Sequence, residues 1–336
     1  MFEQINMYLQ KKFFSSVSFL INKTPYAKNI LANLGIKKII SYEQRTGLLH
    51  YDHYADTYWN DLDMVQKYIN KHTTDNEDTI WQIDLLSRFA EYVPFHKCLV
   101  IGCGNGWAER QLYDLKIGLD FDAFDISQKY LEEAKEKKEN RPIRYYKDDL
   151  NNLEKLPRNY YDAVFNIGAL HHGFRISRAL WYLSRSLKQN GLMFNFDYVG
   201  PAPNNYSDKH FQLLNQINKQ LPERFQSHHN FKPTKVEFAF GDPTEAVNAD
   251  LIRPTFERFF DIIYQRDVNG GIGYQLLVKN TKEFHENDDE AKRCLAKILE
   301  YDKKYTIKQK VPVLFWYGVG QPKAKENISH NKLLPV

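Results

Sequence analysis

The chain has 336 residues, of which 43% are hydrophobic and 26% charged, and a formal net charge of +4. That length supports one large domain with additions, or two small ones. The weak positive charge gives no electrostatic footprint for a nucleic-acid partner, and no apolar run approaches the ~20 residues that span a bilayer.

Taken in chain order, residues 1 to about 90 read as mostly helical. The stretch "KKFFSSVSFLINK" (11–23) has basic flanks and a short apolar centre. No A-x-A-like cleavage site follows it, so it reads as an amphipathic helix docking on the domain or a partner. Weak peripheral membrane association stays open. In "LLHYDHYADTYW" (48–59), Tyr51, Tyr54, Tyr58 and Trp59 read either as a lid over a site or as packing. Tyr51 and Tyr54 are candidate substrate contacts on the first reading. His50, Asp52, His53 and Asp56 show no supporting ligand pattern, and no metal site is expected. "TTDNEDTIWQIDLLSRFAEYV" predicts a helix, with Ile80, Trp81, Ile83, Leu85 and Phe89 near helical spacing after polar caps.

From Lys97 the pattern alternates. "KCLVI" is a short strand of buried type, "GWAERQLYDL" a helix, and "IGLDFDAFDIS" carries a second strand. "QKYLEEAKEKKEN" is a charged helix, and "IRYYKDDL" a third strand. "YYDAVFNIGALHH" is a fourth, "SRALWYLSRSLKQNG" a helix stopped by Gly191, and "LMFNFDYV" a fifth strand. Such alternation predicts a parallel sheet covered on both faces, with ligands at the carboxyl ends of its strands.

After Gly200 the alternation breaks. "PAPNNYSDKHFQLLNQINKQLPERFQSHH" reads as a loop and helix inserted after the fifth strand. "FERFFDIIYQRDVNGGIGYQLLVKN" reads as strand, Gly-rich turn, strand. "DDEAKRCLAKILEYDKKY" is helical, "VPVLFWYGVGQP" a final strand, and the end a loose tail. The predicted class is therefore α/β: a Rossmann-like, doubly wound, mostly parallel sheet with a final antiparallel strand. A helical N-terminal region covers 1–90, the main domain 91–320 with an insert at about 200–250, and the tail 321–336. Cys98, Cys103 and Cys294 are an odd count without paired spacing, which argues against a disulfide framework or zinc site and fits a reducing cytoplasm.

The turn "IGCGNGWAER" (101–110) follows the first strand of this pattern. It lacks the G-K-[ST] of a nucleoside-triphosphate loop. It also departs from the dinucleotide fingerprint, because position 107 is Trp and the third glycine is Gly106, giving G-x-G-x-G. Asp125 ends the second strand, 19 residues past Gly106, where a carboxylate can accept hydrogen bonds from ribose hydroxyls. Asp148-Asp149 end the third strand, where an acidic side chain can meet an adenine amino group. "NIGALHH" ends the fourth, where a reactive group would sit. Adenine, ribose and a charged amino-acid tail fit this order.

The run "CLVIGCGNG … FDAFDIS … YYKDDL … YDAVFNIGALHH … LSRSLKQNGLMFNFDYVGP" resembles the class I S-adenosylmethionine-dependent methyltransferases over residues 97–200. The resemblance implies S-adenosylmethionine as cofactor. It implies that Gly102, Gly104 and Gly106 let the backbone approach it, that Asp125 holds the ribose, and that Ile126 is among the cofactor-binding residues. Asp148, Asp149 and Leu150 would frame the adenine, with Asn166 and Ile167 beside the methionine part. "FDYVGPAPNNYSD", "QLPERF" and "GDPTEAVNADLIRPTFERFFDIIYQRDVNGG" are similar to a bacterial subgroup associated with surface-polysaccharide or glycoconjugate synthesis. The subgroup's basic-aromatic pair after "VGP" is replaced here by Ala202-Pro203-Asn204.

The implied activity is O-methylation of a small or sugar-like acceptor. An alcohol nucleophile must lose its proton, and His is the usual base at neutral pH. His172 is the first candidate and His171 the second, unless one only shapes the loop. His228, His229 and Glu245 are further candidate substrate contacts. An N-methyltransferase of a small metabolite and a catalytically silent scaffold remain as alternatives. A nicotinamide oxidoreductase is disfavoured by Trp107, and a nucleic-acid methyltransferase by the charge.

Overall fold

A computed structural model of the chain describes residues 58–202, 205–228, 231–232, 244–284 and 288–324. The 11–23 segment, Tyr51, Tyr54, His229 and the last twelve residues lie outside the described residues. Seven strands form one sheet: β1 (Cys98–Ile101), β2 (Phe121–Asp125), β3 (Ile143–Lys147), β4 (Tyr161–Ile167), β5 (Leu187–Tyr198), β6 (Phe260–Asp267) and β7 (Phe315–Pro322). Their order is β3-β2-β1-β4-β5-β7-β6. The first five pair in parallel, and β7 lies antiparallel between β5 and β6. This is the Rossmann-like, mostly parallel sheet that the alternating pattern predicts.

The helices among the described residues are α1 (Asp63–Thr74), α2 (Trp81–Arg88), α3 (Trp107–Asp114), α4 (Gln128–Lys137) and α5 (Ile176–Ser186). They continue with α6 (Asp208–Asn218), α7 (Ile252–Phe259), α8 (Gly273–Leu277), α9 (Thr281–Phe284) and α10 (Asp289–Ile307). β1 is buried at all four positions, as a central parallel strand should be. Its side chains alternate between two apolar layers. Leu99 and Ile101 join one with α5 and α10 residues, while Cys98 and Val100 join the other with Phe165 and Phe194. All three cysteines are free and buried. No described helix is long and apolar enough to cross a membrane.

The described part of the N-terminal region packs into the same core. Trp59 stacks on Phe315 at a centroid distance of 5.6 Å and meets Tyr274 edge-on at 5.5 Å. Val65 of α1 and Leu85 of α2 are wholly buried. Tyr58 packs against the same layer, so this end of the aromatic segment is part of the fold rather than a detached cover.

Two sequence expectations are corrected. The helix expected to run to Gly191 ends at Ser186, because Leu187 already pairs with Tyr161 at the start of β4. Backbone pairing along that edge outcompetes one more helical turn. The second strand expected in "GIGYQLLVKN" is instead the short helix α8. The cause is a residue about thirty positions away. Asp302 on α10 is wholly buried. Its carboxylate accepts hydrogen bonds from the backbone N–H groups of Gly270, Ile272 and Gly273 at 2.7–3.0 Å. A carboxylate at the first N–H groups of a helix is the favoured partner for that end.

Candidate functional site

The site lies at the carboxyl ends of β1, β4 and β5. Ile101, Asn166 and Asn195 stand in register there, so the loops after these strands open on the same edge. The β1 loop turns sharply. Gly102, Gly104 and Gly106 all have left-handed φ, at 56°, 54° and 78°. At Gly102 a Cβ would collide with Ala169 of the β4 loop, so only glycine allows the two loops to touch. At Gly104 a Cβ would meet no protein atom within 4 Å. The backbone there borders a cleft lined by Gly102 to Asn105, Trp107, Ala108, Tyr130 and Ile167. A ligand can approach the main chain at this point, and α3 starts directly after it.

Asp125 closes the other side. Its carboxylate accepts from the backbone of Gly104 at 2.9 Å and of Ser127 at 2.8 Å. Burial pushes its carboxyl up, against the pull of these N–H groups and that of Ile126. Each carboxylate oxygen offers two lone pairs, so acceptor capacity remains for a ribose. Asp148 follows β3, and its backbone N–H reaches Asp125 O at 3.3 Å. Its side chain accepts from Asp149 N, and Asp149 accepts from Asn151 at 2.9 Å, an Asx turn that fixes this corner. Leu150 packs beside it on the core. The residues present therefore fit an adenosyl group laid across β1, β2 and β3.

The β4 end differs from expectation at Asn166. Its side chain is wholly buried and turned inward. Its amide nitrogen donates to Asn195 Oδ1 and Asp197 Oδ2, both at 2.7 Å. Its oxygen accepts from Ala169 N at 3.2 Å and Leu170 N at 3.0 Å. All four hydrogen-bonding positions are used. Asn166 therefore braces the turn Leu170–His172 that carries the histidine pair, and only its main chain can border a cofactor.

Asp197, wholly buried on β5, receives that turn. It accepts from His171 N at 3.2 Å, and its Oδ1 lies 2.6 Å from His171 Nδ1. A carboxylate only accepts, so this contact puts the proton on Nδ1 and turns Nε2 outward. His172 Nδ1 lies 2.9 Å from Thr244 Oγ1, and the two imidazoles are 3.9 Å apart. Glu245 Oε2 stands 3.9 Å from His171 Nε2. Behind them, the Tyr198 hydroxyl lies 2.6 Å from that of Tyr206, which accepts from Gln275 at 2.9 Å. Tyr198, Tyr206 and Tyr274 all have raised hydroxyl pKa, chiefly from burial, with the Glu245 charge adding to it.

The structure thus brings His171, His172 and Glu245 together at one edge with the glycine turn. His228 is exposed, on the loop that Asn218 ties through Ser227. Sequence reasoning missed Asp197, Asn195 and Thr244. A signal for the first two existed: "NFDY" places polar residues at alternate positions of a strand that otherwise reads as apolar.

Beneath the glycine turn, Glu109 in the first turn of α3 is wholly buried, and burial pushes its carboxyl up to about 7. The unfolded chain gives up this proton near the ordinary value of 4.5, earlier than the folded one. Stability should therefore fall as pH rises from about 4.5 to about 7. Glu109→Gln should remove that slope and raise stability at pH 8 by on the order of 3 kcal/mol. Urea midpoints at pH 5 and pH 8 measure this, and a variant with the parent's pH slope would contradict it. Asp125→Ala should remove the two charged hydrogen bonds expected to a ribose, and it loosens the turn held at Gly104 and Ser127. That is about 3–6 kcal/mol, so at least a hundredfold loss of S-adenosylhomocysteine affinity by calorimetry is expected. Retained affinity would remove Asp125 from the site.

Comparison with known proteins bears on the same segment. Residues 99–195 match the family model described as a methyltransferase domain. A comparison with curated proteins finds no relative of this chain. Among solved structures, the phosphoethanolamine N-methyltransferase 2 of Haemonchus contortus, in complex with S-adenosyl-L-methionine, is 16% identical with a TM-score of 0.48. That alignment covers 85% of this chain and 61% of the other. An S-adenosylmethionine-dependent methyltransferase from Mesorhizobium loti is 14% identical over 70% of this chain and 97% of its own, with a TM-score of 0.43. The [4+2]-cyclase SpnF is 15% identical over 84% and 96% of the two chains, with a TM-score of 0.46. With the family match falling on the glycine turn and the strand ends just described, residues 99–195 form a class I methyltransferase domain whose cofactor is S-adenosylmethionine.

Proposed function

We propose that the chain O-methylates a hydroxyl acceptor of small or sugar-like type, in glycan or polysaccharide synthesis. The observation that carries this reading is the His171–Asp197 pair, a 2.6 Å contact to a wholly buried carboxylate at the same sheet edge as the cofactor turn. Methyl transfer is a direct displacement. The acceptor oxygen bonds to the methyl carbon, the carbon–sulfur bond breaks, and its electron pair stays on sulfur. A hydroxyl must also shed its proton, which an amine free base or a thiolate need not do at that moment. An imidazole fixed as the Nδ1–H tautomer by a carboxylate presents Nε2 as the acceptor for that proton. We therefore place His171 ahead of His172, whose Nδ1 lies against the Thr244 hydroxyl rather than a buried carboxylate.

The sugar-like acceptor is supported by Glu245, a part-exposed carboxylate beside His171 Nε2, with the buried Tyr198–Tyr206–Gln275 hydrogen bonds behind it. The polysaccharide setting rests on the subgroup resemblance of the segments after Asp197. A second reading, methylation of an amine, is favoured by the same Glu245. A carboxylate acting on three tyrosine rings is also what an ammonium group would select. The N-methyltransferase alternative is kept for that reason.

A panel of nucleotide sugars, glycosides and small amines, read by S-adenosylhomocysteine release, separates the two. Turnover is expected on hydroxyl acceptors, and turnover confined to amines would overturn the proposal. His171→Ala should lower kcat by about 10²–10⁴-fold with cofactor affinity little changed. An unchanged rate would remove His171 as the base.

A further inference from the structure

We infer that His171, His172 and Glu245 form a binding site for a divalent transition-metal ion of the zinc type. The inference rests on the proposed O-methylation but replaces its base: with an ion bound, His171 Nε2 is a ligand, and the acceptor hydroxyl is activated by the ion instead. One ligand atom from each of the three side chains lies within 4.8 Å of the others. His171 Nε2 and Glu245 Oε2 are 3.9 Å apart. Ligand atoms around a tetrahedral zinc, at bonds of about 2.1 Å, are separated by roughly 3.4 Å. Closing the observed triangle therefore takes about an ångström of side-chain rotation. Glu245, whose side chain is 36% exposed, has room to move, whereas His171, at 13%, is held.

The surroundings fit a metal site in a second, independent way. A metal-binding histidine usually donates its other ring N–H to a carboxylate or another oxygen, which fixes the tautomer and the ring direction. Both histidines have such an oxygen at Nδ1: Asp197 Oδ1 at 2.6 Å for His171 and Thr244 Oγ1 at 2.9 Å for His172. The carboxylate therefore has His171 present Nε2 to an ion, and His172 presents Nε2 when its Nδ1–H donates to Thr244 Oγ1. Asp197 is itself held by Asn166 Nδ2 and Tyr198 N, both at 2.7 Å, so the support is rigid. Thr244 and Glu245 are adjacent, so one segment supplies both an orienting oxygen and a ligand.

The donor set selects the ion. Two imidazoles and one carboxylate suit zinc, iron, cobalt or nickel, and not magnesium or calcium, which favour all-oxygen shells. Three protein ligands among the described residues leave a position for an acceptor oxygen, the arrangement of catalytic rather than structural zinc. With the ion present, His171 is a ligand and the ion supplies the acidity. The hydroxyl proton passes to solvent, the oxygen bonds to the methyl carbon, and the sulfur leaves with the electron pair of the broken bond. No metal is expected from the sequence because Glu245 is brought to the adjacent histidines only by folding.

The test uses the full chain, stripped with chelator and titrated with Co²⁺ alone while visible absorption is followed. One equivalent should produce the intense bands of a four- or five-coordinate site, and Zn²⁺ should abolish them. His172→Ala and Glu245→Gln should each weaken binding by at least about tenfold, and Asp197→Asn by about 10–100-fold. Calorimetry with S-adenosylhomocysteine on each variant checks folding separately. No saturable band in protein that binds S-adenosylhomocysteine would overturn the inference. A band that survives both His172→Ala and Glu245→Gln would overturn it equally, as adventitious binding. Turnover confined to amines with the cobalt band intact would uphold the site and remove the hydroxyl reading alone.

Discussion

Four contacts converge on the buried carboxylate of Asp197: the backbone and ring of His171, the amide of Asn166, and the backbone of Tyr198. Taking a charge out of water is costly unless hydrogen bonds replace the lost solvation. Here they do, and in doing so they tie β5 to the loop after β4. That loop in turn limits the β1 turn, because Ala169 lies where a side chain at Gly102 would go. One satisfied carboxylate thus sets the spacing between the cofactor turn and the groups facing it. Methyl transfer depends above all on such spacing, since donor, methyl and acceptor must be aligned.

The cofactor half of the site is local in sequence, and for that reason it was legible. Each of its parts sits at the end of one strand, and the strands follow one another in the chain. The spacing from Gly106 to Asp125 and on to Asp148 is in each case the length of one helix and one strand, so residue order maps onto position along the sheet edge. The missing glycine at Trp107 has a plain structural meaning. Trp107 opens α3 at the rim of the cleft, 43% exposed, and no close backbone approach is needed there.

The acceptor half is assembled from afar. His171 comes from the β4 loop, Asp197 from β5, and Thr244 and Glu245 from the end of the insert. No periodicity links such positions. The histidine pair was visible as residue types, yet its order of importance turns on a carboxylate that reads only as part of a strand. Asn166 illustrates the same limit: its identity fits a ligand-facing group, but partners on the adjacent strand β5 and in its own loop engage it completely. The α8 segment repeats the lesson for the fold, because a carboxylate on α10 makes a helix from residues that read as a strand.

A crystal structure with S-adenosylhomocysteine tests the central claim most directly, because it fixes the sulfur against the Asp197-held turn. The account predicts the ribose on Asp125, the homocysteine along the glycine turn, and the sulfur facing the open space before His171 and Glu245. That space should leave an acceptor oxygen about 3–3.5 Å from a transferable methyl. A ligand whose sulfur points away from His171, or whose ribose is held elsewhere than Asp125, would contradict it.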